Sequence, residues 1–451
     1  MNRYRNLIIL VFIFISGIAS AQNQTENIDQ KTYELFQNKM YKKLIYVGEH
    51  AIKKGTDYFY LRNRIAIAYF ELKNYRSAIY HFEKALKFNS DDPVTLEYLY
   101  FAYLYAGRTT DANFLVADFP DYLKEKIKYK RKYLNSIYFE GGPSISNNIS
   151  KNGSLDIDGD TSIYGESDLN DKMIYLHLGL KHDLLSRLSI YHGFSNLEIS
   201  KRKTFMNNNN DSIFDYTVKQ KEYYINADIQ LAKGLKITPA LHLISVKADL
   251  TNASFDTVNF KYLYSNTALN LNNYVVSIGL SKEYKKISAS LFATYSNLNN
   301  SKQFQIGISG TYFPFGNLDL YSNTTIALLN KKADVVIPGS GSNKENHIIF
   351  DEMIGAKIIN NLWLEASVSI GNLAYYNEKN AFIVYNIADK INFKTGISAI
   401  YSLNQNFELS LRYQYLNRES SYMNFTDSDS KQEIITNYQN NTIIGGIKWK
   451  L

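Results

Sequence analysis

From residue 135 onward, apolar and polar residues alternate with a period of two. In 303–313 one set is Phe304, Ile306, Ile308, Gly310 and Tyr312, and the other is Gln303, Gln305, Gly307, Ser309 and Thr311. In 362–371 the apolar set is Leu362, Leu364, Ala366, Val368 and Ile370; in 406–416 it is Phe407, Leu409, Leu411, Tyr413 and Tyr415. Successive side chains of a strand point to opposite faces, so each segment is a strand with one apolar and one polar face. Fourteen strands are predicted in all. The first seven are 136–147, 171–183, 187–199, 217–231, 235–249, 273–283 and 287–297. The rest are 302–313, 317–329, 344–358, 362–371, 390–403, 407–417 and 438–451.

Short connections at 184–186, 232–234, 284–286, 314–316, 359–361 and 404–406 alternate with longer polar segments. Those are 148–170, 200–216, 250–272, 330–343, 372–389 and 418–437, with 298–301 the one short exception. Short turns at one end, long loops at the other and an even strand number predict an all-β transmembrane barrel with both ends on the periplasmic side. A soluble antiparallel sheet also alternates, but rarely keeps one face so uniformly aliphatic and aromatic in every strand. A three-residue turn at 184–186 would pair Leu180 with Ile190 and Gly179 with Tyr191. His192 and Glu352 fall on the apolar parity, which predicts a local bulge at each, since a bulge shifts parity by one.

The inward parity carries Glu140, His177, Lys181, Asp228, His242, Asp319, Glu365, Lys394, Glu408, Arg412 and Lys448. Their signs are mixed, so the expectation is a polar, channel-lining or salt-bridged lumen without an ion-naming ring. The closing strand, 442–451, puts Ile443, Gly445, Ile447, Trp449 and Leu451 on one parity and Lys448 and Lys450 on the other. Ile447, Trp449 and Leu451 resemble the C-terminal assembly signal of bacterial outer-membrane proteins, which implies outer-membrane lipid and the barrel-assembly machinery as partners. The final Leu departs from that signal's terminal aromatic.

Residues 25–120 follow a different rule, a period of 34. Ala66, Tyr69, Asn74, Tyr75, Ala78, Phe82 and Ala85 define the clearest unit; Leu99, Tyr100, Tyr103, Gly107 and Ala112 define the next. Ala78 to Ala112 and Tyr69 to Tyr103 are each one period apart. A first, degenerate unit keeps Leu35, Tyr41, Leu44 and Ala51. Small residues let paired helices approach, and aromatics fill the gap to the next pair. These residues resemble the tetratricopeptide family, which implies an α-helical solenoid with a concave face for a peptide or protein. Arg62 and Glu97 are candidate groove residues. The alternative is a spacer or plug that binds nothing. After Pro120, a basic helix over Tyr122–Leu134 is expected, capped by Asp121, either solvated or laid on the anionic inner leaflet.

Composition sharpens the domain boundaries. Arg3 and Arg5, the apolar run Leu7–Ile18 and Ala19-Ser20-Ala21 read as a secretory signal over 1–21. Residues 22–134, the periplasmic helical domain, carry 19 Lys and Arg against 14 Asp and Glu. Residues 135–451, the barrel, carry 29 of each sign and are neutral, which argues against a strongly anion-selective pore. There is no cysteine, hence no disulfide, lipid-anchored cysteine or thiolate metal site. Thirty-eight tyrosines suit membrane interfaces and sugar-facing surfaces.

No phosphate loop, paired-histidine zinc spacing or nucleophile elbow is present, so neither cofactor, nucleic-acid partner nor enzymatic activity is expected. Asp156-Ile-Asp-Gly-Asp160 gathers carboxylates as a calcium loop does but lacks its distal Glu. His192 is the one lipid-facing histidine that a lipid-acting barrel enzyme would use, and no serine partner is evident. A signal, tetratricopeptide-like units and a C-terminal barrel are together similar to exopolysaccharide export porins, such as those for cellulose or poly-N-acetylglucosamine, and to YaiO-like outer-membrane proteins. The export porins carry much longer repeat arrays. The resemblance implies a channel for a polar solute or saccharide, with the repeats docking a periplasmic protein or the saccharide chain. The alternative is a non-transporting scaffold whose barrel anchors the repeats.

Overall fold

The computed structural model describes residues 27–147, 164–206, 212–259, 261–333, 344–425 and 431–451. The leader and the Asp156–Asp160 segment lie outside the described residues. The chain divides into two compact units. The first contains the described residues up to Tyr129 together with Glu283–Ile287 and Phe313–Leu318; the second holds Lys130–Lys282, Ser288–Tyr312 and Asp319–Leu451.

The first unit is built from seven described helices: α1 (27–37), α2 (Tyr41–Lys53), α3 (Phe59–Glu71), α4 (Tyr75–Ala85), α5 (Pro93–Tyr105), α6 (Thr109–Val116) and α7 (Asp121–Lys126). Helices α2, α4 and α6 start 34 residues apart, at Tyr41, Tyr75 and Thr109. Two residues before each start, Lys39, Lys73 and Gly107 adopt the left-handed conformation, with φ of 54°, 58° and 75°. The 34-residue repeat is therefore a repeat of backbone as well as of sequence. Ala66, Ala78 and Ala112 are buried with Phe82, Leu99 and Tyr103 in one core, against which Tyr69 and Tyr75 pack, and Ala85 is buried as well. Tyr69 donates to Glu49 at 2.7 Å, and one repeat later Tyr103 donates to Glu83 at 2.6 Å. Asn74 caps α4 by accepting from Ser77 N at 3.2 Å, and Asp92 caps α5 by accepting from Thr95 N at 2.8 Å.

Two readings change here. Helix α7 stops at Lys126, because Lys128 turns to a φ of 52°, so the long basic helix does not form; Asp121 is its first residue and Pro120 the capping position. Arg62 is not groove-facing: it is 6% exposed, paired with Asp57 at 2.6 Å and hydrogen-bonded to His81 at 3.2 Å. Glu97 accepts from Lys126 at 2.5 Å. Arg76, also buried, pairs with Glu283 at 2.6 Å within the same unit, and its guanidinium lies 3.5 Å over the Phe313 ring.

The second unit is a closed antiparallel barrel. Its strands in chain order begin with β1 (Leu134–Ser146), β2 (Tyr164–Leu185), β3 (Leu188–Met206), β4 (Ser212–Ala232), β5 (Leu235–Asp256) and β6 (Lys261–Tyr284). They continue with β7 (Ile287–Ser296), β8 (Ser301–Tyr312), β9 (Leu320–Ala333), β10 (Lys344–Ile359) and β11 (Leu362–Ile370). After a small separate hairpin, β12 (Asn377–Glu378) and β13 (Ile383–Val384), come β14 (Lys390–Ser402), β15 (Phe407–Phe425) and β16 (Lys431–Lys450). Fourteen strands close the ring, with β16 paired to β1.

Outward side chains form an apolar belt: Ile308, Ile354 and Leu411 are 54%, 52% and 57% exposed, while inward Gln303 and Ser277 are each 1% exposed. Trp449 lies on the belt and stacks on Phe407 at 5.9 Å. A closed barrel wrapped in such a belt is a transmembrane barrel of the outer-membrane type, since only helices and closed barrels satisfy every backbone group in lipid. No helix among the described residues is long and apolar enough to cross a membrane.

Register corrects three expectations. Leu180 pairs with His192 and Gly179 with Gly193, a slip of two residues, because Leu185 pairs Leu188 across a tighter turn with a bulge beside Leu184. A slip of two leaves the faces unchanged. Neither His192 nor Glu352 sits at a bulge; the ladders run through both without a shift, and both side chains share the lipid-facing parity. The long loops are also shorter than expected, since β3 to β6 and β15 continue well past the belt.

Candidate functional site

Above the outer edge of the belt the barrel wall reverses its polarity. On β5, just beyond outward Leu243, Lys247 and Asp249 face out while Ile244, Val246 and Ala248 are buried inside. Strand β6 follows the same rule, with Asn270 and Asn272 exposed and Leu271 on the inner parity. The expectation of a polar lumen is therefore corrected: it is polar in the half that carries the short turns and apolar in the other half. Outside this level the strand meets water rather than lipid, and inside it needs an apolar cover.

The cover is the segment between β11 and β14, expected to be an outer loop. It folds inward instead. Leu373, Ala374, Tyr375, Tyr376 and Ala381 are buried in one cluster with Ile244, Val275, Leu329, Ile349 and Leu416 of the wall. Tight turning is visible in the backbone, where Tyr375, Lys379, Asn380 and Ala381 all have positive φ between 53° and 64°. Such values cost of order 1 kcal/mol or more each in non-glycine residues and persist only where surroundings enforce them. Here they do: Gln305 bonds Asn377 through both its amide atoms, at 2.8 and 3.0 Å, and His242 donates to Ala381 O at 2.7 Å. Lys394 on β14 reaches Glu378 at 2.6 Å and Tyr385 at 3.0 Å. Phe382 packs edge-on against His177, Tyr191 and Tyr224, with centroids 5.3, 5.8 and 5.2 Å away.

Below Phe382 lies a polar floor. Glu140 accepts from Tyr138 and Tyr175 and faces Arg412 at 3.7 Å. His177 bonds Ser195 at 2.9 Å and Tyr191 at 2.6 Å. Gly179 and Gly193 face each other across β2 and β3, and a Cβ on either would enter the space of Tyr191 or His177. The floor thus joins Glu140, His177 and Arg412, with His242 near Glu222 at 3.4 Å.

The remaining inward residues are dispersed toward the short-turn end. Asp228 pairs with Lys236 at 3.0 Å, Glu365 accepts from Tyr321 at 2.5 Å, and Glu408 accepts from Lys450 at 2.8 Å with Lys448 opposite it in register. Lys181 stands opposite Ser136 and Tyr191 in the ladders. Asp319 precedes β9 and lies 3.9 Å from Lys357. Among the described residues no cluster of three or more His, Asp or Glu could hold a metal ion. On the lipid face, His192 bonds His182 at 3.2 Å and Tyr223 at 3.3 Å; no serine joins it.

Between the plug and the wall is a cavity of about 460 Å³. One side is Phe382–Ala388; the other comes from β1 to β6, β15 and β16. Its lining mixes aliphatic side chains with polar ones, and Glu140, Tyr175 and Arg412 belong to it. Neither the plug nor Arg418 was singled out from sequence. The signal was present: Leu373-Ala-Tyr-Tyr and Ala381-Phe-Ile-Val-Tyr are too apolar for a solvated loop.

No protein-family model matches the chain, and no curated protein matches it. Among solved structures, the Pseudomonas putida toluene transporter TodX is similar at 9% identity and a TM-score of 0.44, over 70% of this chain and 90% of that one. A Pseudomonas aeruginosa FadL homologue scores 0.46 at 8% identity, over 70% and 90%. A bacterial polysaccharide outer membrane secretin scores 0.32 at 8% identity, over 71% and 99%. At such scores these likenesses say nothing of what this barrel carries.

Proposed function

We propose that this outer-membrane barrel is a gated passage for a small solute, closed by its own segment 371–389. The observation that carries the reading is that segment: it fills the lumen through an apolar cluster shared with the wall and through side-chain hydrogen bonds to β5, β8 and β14, and its hairpin is a sheet separate from the ring. A plug that packs against the ring without being one of its strands is releasable in a way that a strand of the ring is not. A polysaccharide chain would need a continuous polar bore, so the apolar outer half favours a small solute over an exported saccharide. The 34-residue helical repeat supports a periplasmic docking role resembling that of tetratricopeptide domains.

Replacing 373–387 by a short Gly-Ser link tests the passage. Expected are low single-channel currents in planar bilayers for the native chain and large, steady ones for the variant, with both heat-modifiable on gels. A second reading, a non-transporting anchor for the repeats, is favoured by the buried Glu378–Lys394 pair, which ties the plug firmly. It prevails if the plug-less barrel folds and stays silent.

A further inference from the structure

We infer that the cavity beside the plug binds a small amphipathic anion, with Arg418 as its charged anchor. This names the solute for the passage just proposed and rests on that reading. One part of the cavity lining is aliphatic, with Leu197, Ile199, Val218, Val246, Leu271 and Leu416 all contributing. A cavity of about 460 Å³ lined this way takes an apolar body the size of one or two fused rings.

Charge decides the rest. Four basic residues line the cavity, Lys172, Lys201, Arg412 and Arg418, against three acidic ones, Glu140, Asp168 and Glu222. The acids are each engaged: Asp168 by Lys201 at 3.0 Å and Tyr216 at 2.6 Å, Glu140 by Tyr175 and Arg412, and Glu222 by Gln220 at 2.6 Å. Arg418 is different. It is 9% exposed, it forms no ion pair among the described residues, and its Nε and Nη1 are buried without a hydrogen-bond partner, its guanidinium meeting only the Tyr438 ring at 5.9 Å among the aromatic side chains described. Asp389 accepts from Tyr438 and, at 3.1 Å, from Ser420, and it forms no ion pair with Arg418.

A guanidinium does not shed its proton, so burial leaves its charge in place and at a cost. An anion entering the cavity removes that cost by supplying charge-assisted hydrogen bonds. Asn440 brings a second unpartnered polar atom, Oδ1, to the same lining. The ligand class follows: an apolar body against the aliphatic wall and a carboxylate or sulfonate at Arg418.

The test is calorimetric titration of the purified full chain in nanodiscs with 2-naphthoate and with 2-naphthalenemethanol, its neutral counterpart. Expected are tighter binding of naphthoate and at least a tenfold loss for it in Arg418→Gln, with the alcohol within twofold of native. Arg418→Lys should retain part of the preference. Val246→Trp, which fills the cavity and keeps Arg418, should exclude both ligands and covers the case in which Arg418→Gln fails to fold. Equal binding of acid and alcohol, no naphthoate binding to the native barrel, or unchanged naphthoate binding in Arg418→Gln or in Val246→Trp each overturns the assignment. Currents through the plug-less barrel report separately on the passage: binding without current sinks the passage alone, and current without binding sinks the ligand alone.

Discussion

Lys394 and Glu378 meet at 2.6 Å inside the barrel, one on the wall and the other on the plug, with side chains only 4% and 12% exposed. Tyr385 completes the group by donating to Glu378 at 3.0 Å. Removing one partner of a buried pair strands the other's charge and costs about 3–5 kcal/mol, whereas replacing both with neutral residues is often nearly neutral. Lys394→Met should therefore loosen the plug and raise single-channel current well above native. The double variant Glu378→Gln with Lys394→Met should return the current toward native. If the single and double variants conduct alike, the pair is not what holds the plug.

The closing strand makes a second prediction. Trp449 is 42% exposed on the lipid side and stacked on Phe407, while Lys450 has lumen parity and reaches Glu408. A charge on the lipid face costs from near zero at the interface to roughly 2–4 kcal/mol at mid-membrane, and loss of the aromatic pair adds about 0.5–1.5 kcal/mol. Trp449→Asp should lower the amount of heat-modifiable barrel in outer-membrane fractions severalfold. Lys450→Gln should leave it near native. Equal levels for the two would show that parity at this end does not govern assembly.

Glu352 points to lipid between Phe350 and Ile354, which are 40% and 52% exposed, and accepts from Thr324 at 2.5 Å. A carboxyl in the belt is a burden on stability that one hydroxyl relieves only in part. Glu352→Leu should shift the urea midpoint of the reconstituted barrel upward, by about 1–2 kcal/mol of unfolding free energy. A downward shift would mean that Glu352 holds this face together.

Period-two alternation made the ring legible from sequence, because each strand repeats the same inside-outside choice against lipid. The helical repeat was legible for a similar reason: Tyr69 and Tyr103, 34 residues apart, make the same bond to Glu49 and Glu83. The plug was not. Asn377, Glu378, Lys379 and Asn380 interrupt its two apolar runs, and what those runs pack against, Ile244, Val275 and Leu416, is distant in sequence. Periodicity states which face a residue occupies, not what covers that face. The same limit made His192 look like a bulge. Its parity was read correctly, and its partners His182 and Tyr223 become visible only with the register.

The last prediction concerns acid and the helical unit. Arg62 Nη1 donates to His81 Nδ1, which leaves the ring proton on Nε2, 3.6 Å from Glu49. Burial pushes His81 below its ordinary 6.5; Glu49 opposes that push, and Arg62 and Lys285 add to it. The His81 ring N–H facing it, set against burial and helped by the hydrogen bond from Tyr69, holds Glu49 down at about 2, below its ordinary 4.5. Both depressed values have the same sign in linkage: the unfolded chain takes up protons before the folded one does, so stability falls with pH. His81 contributes its share above about 6.5 and loses it as pH drops through the folded value. Glu49 contributes above about 4.5 and loses its share as pH approaches 2. Melts of the full chain followed by helical ellipticity at ~222 nm should therefore show two downward steps in Tm on acidification. His81→Asn should flatten the first step and Glu49→Gln the second, with the strand signal unmoved. A full first step in His81→Asn would assign the acid sensitivity to other groups.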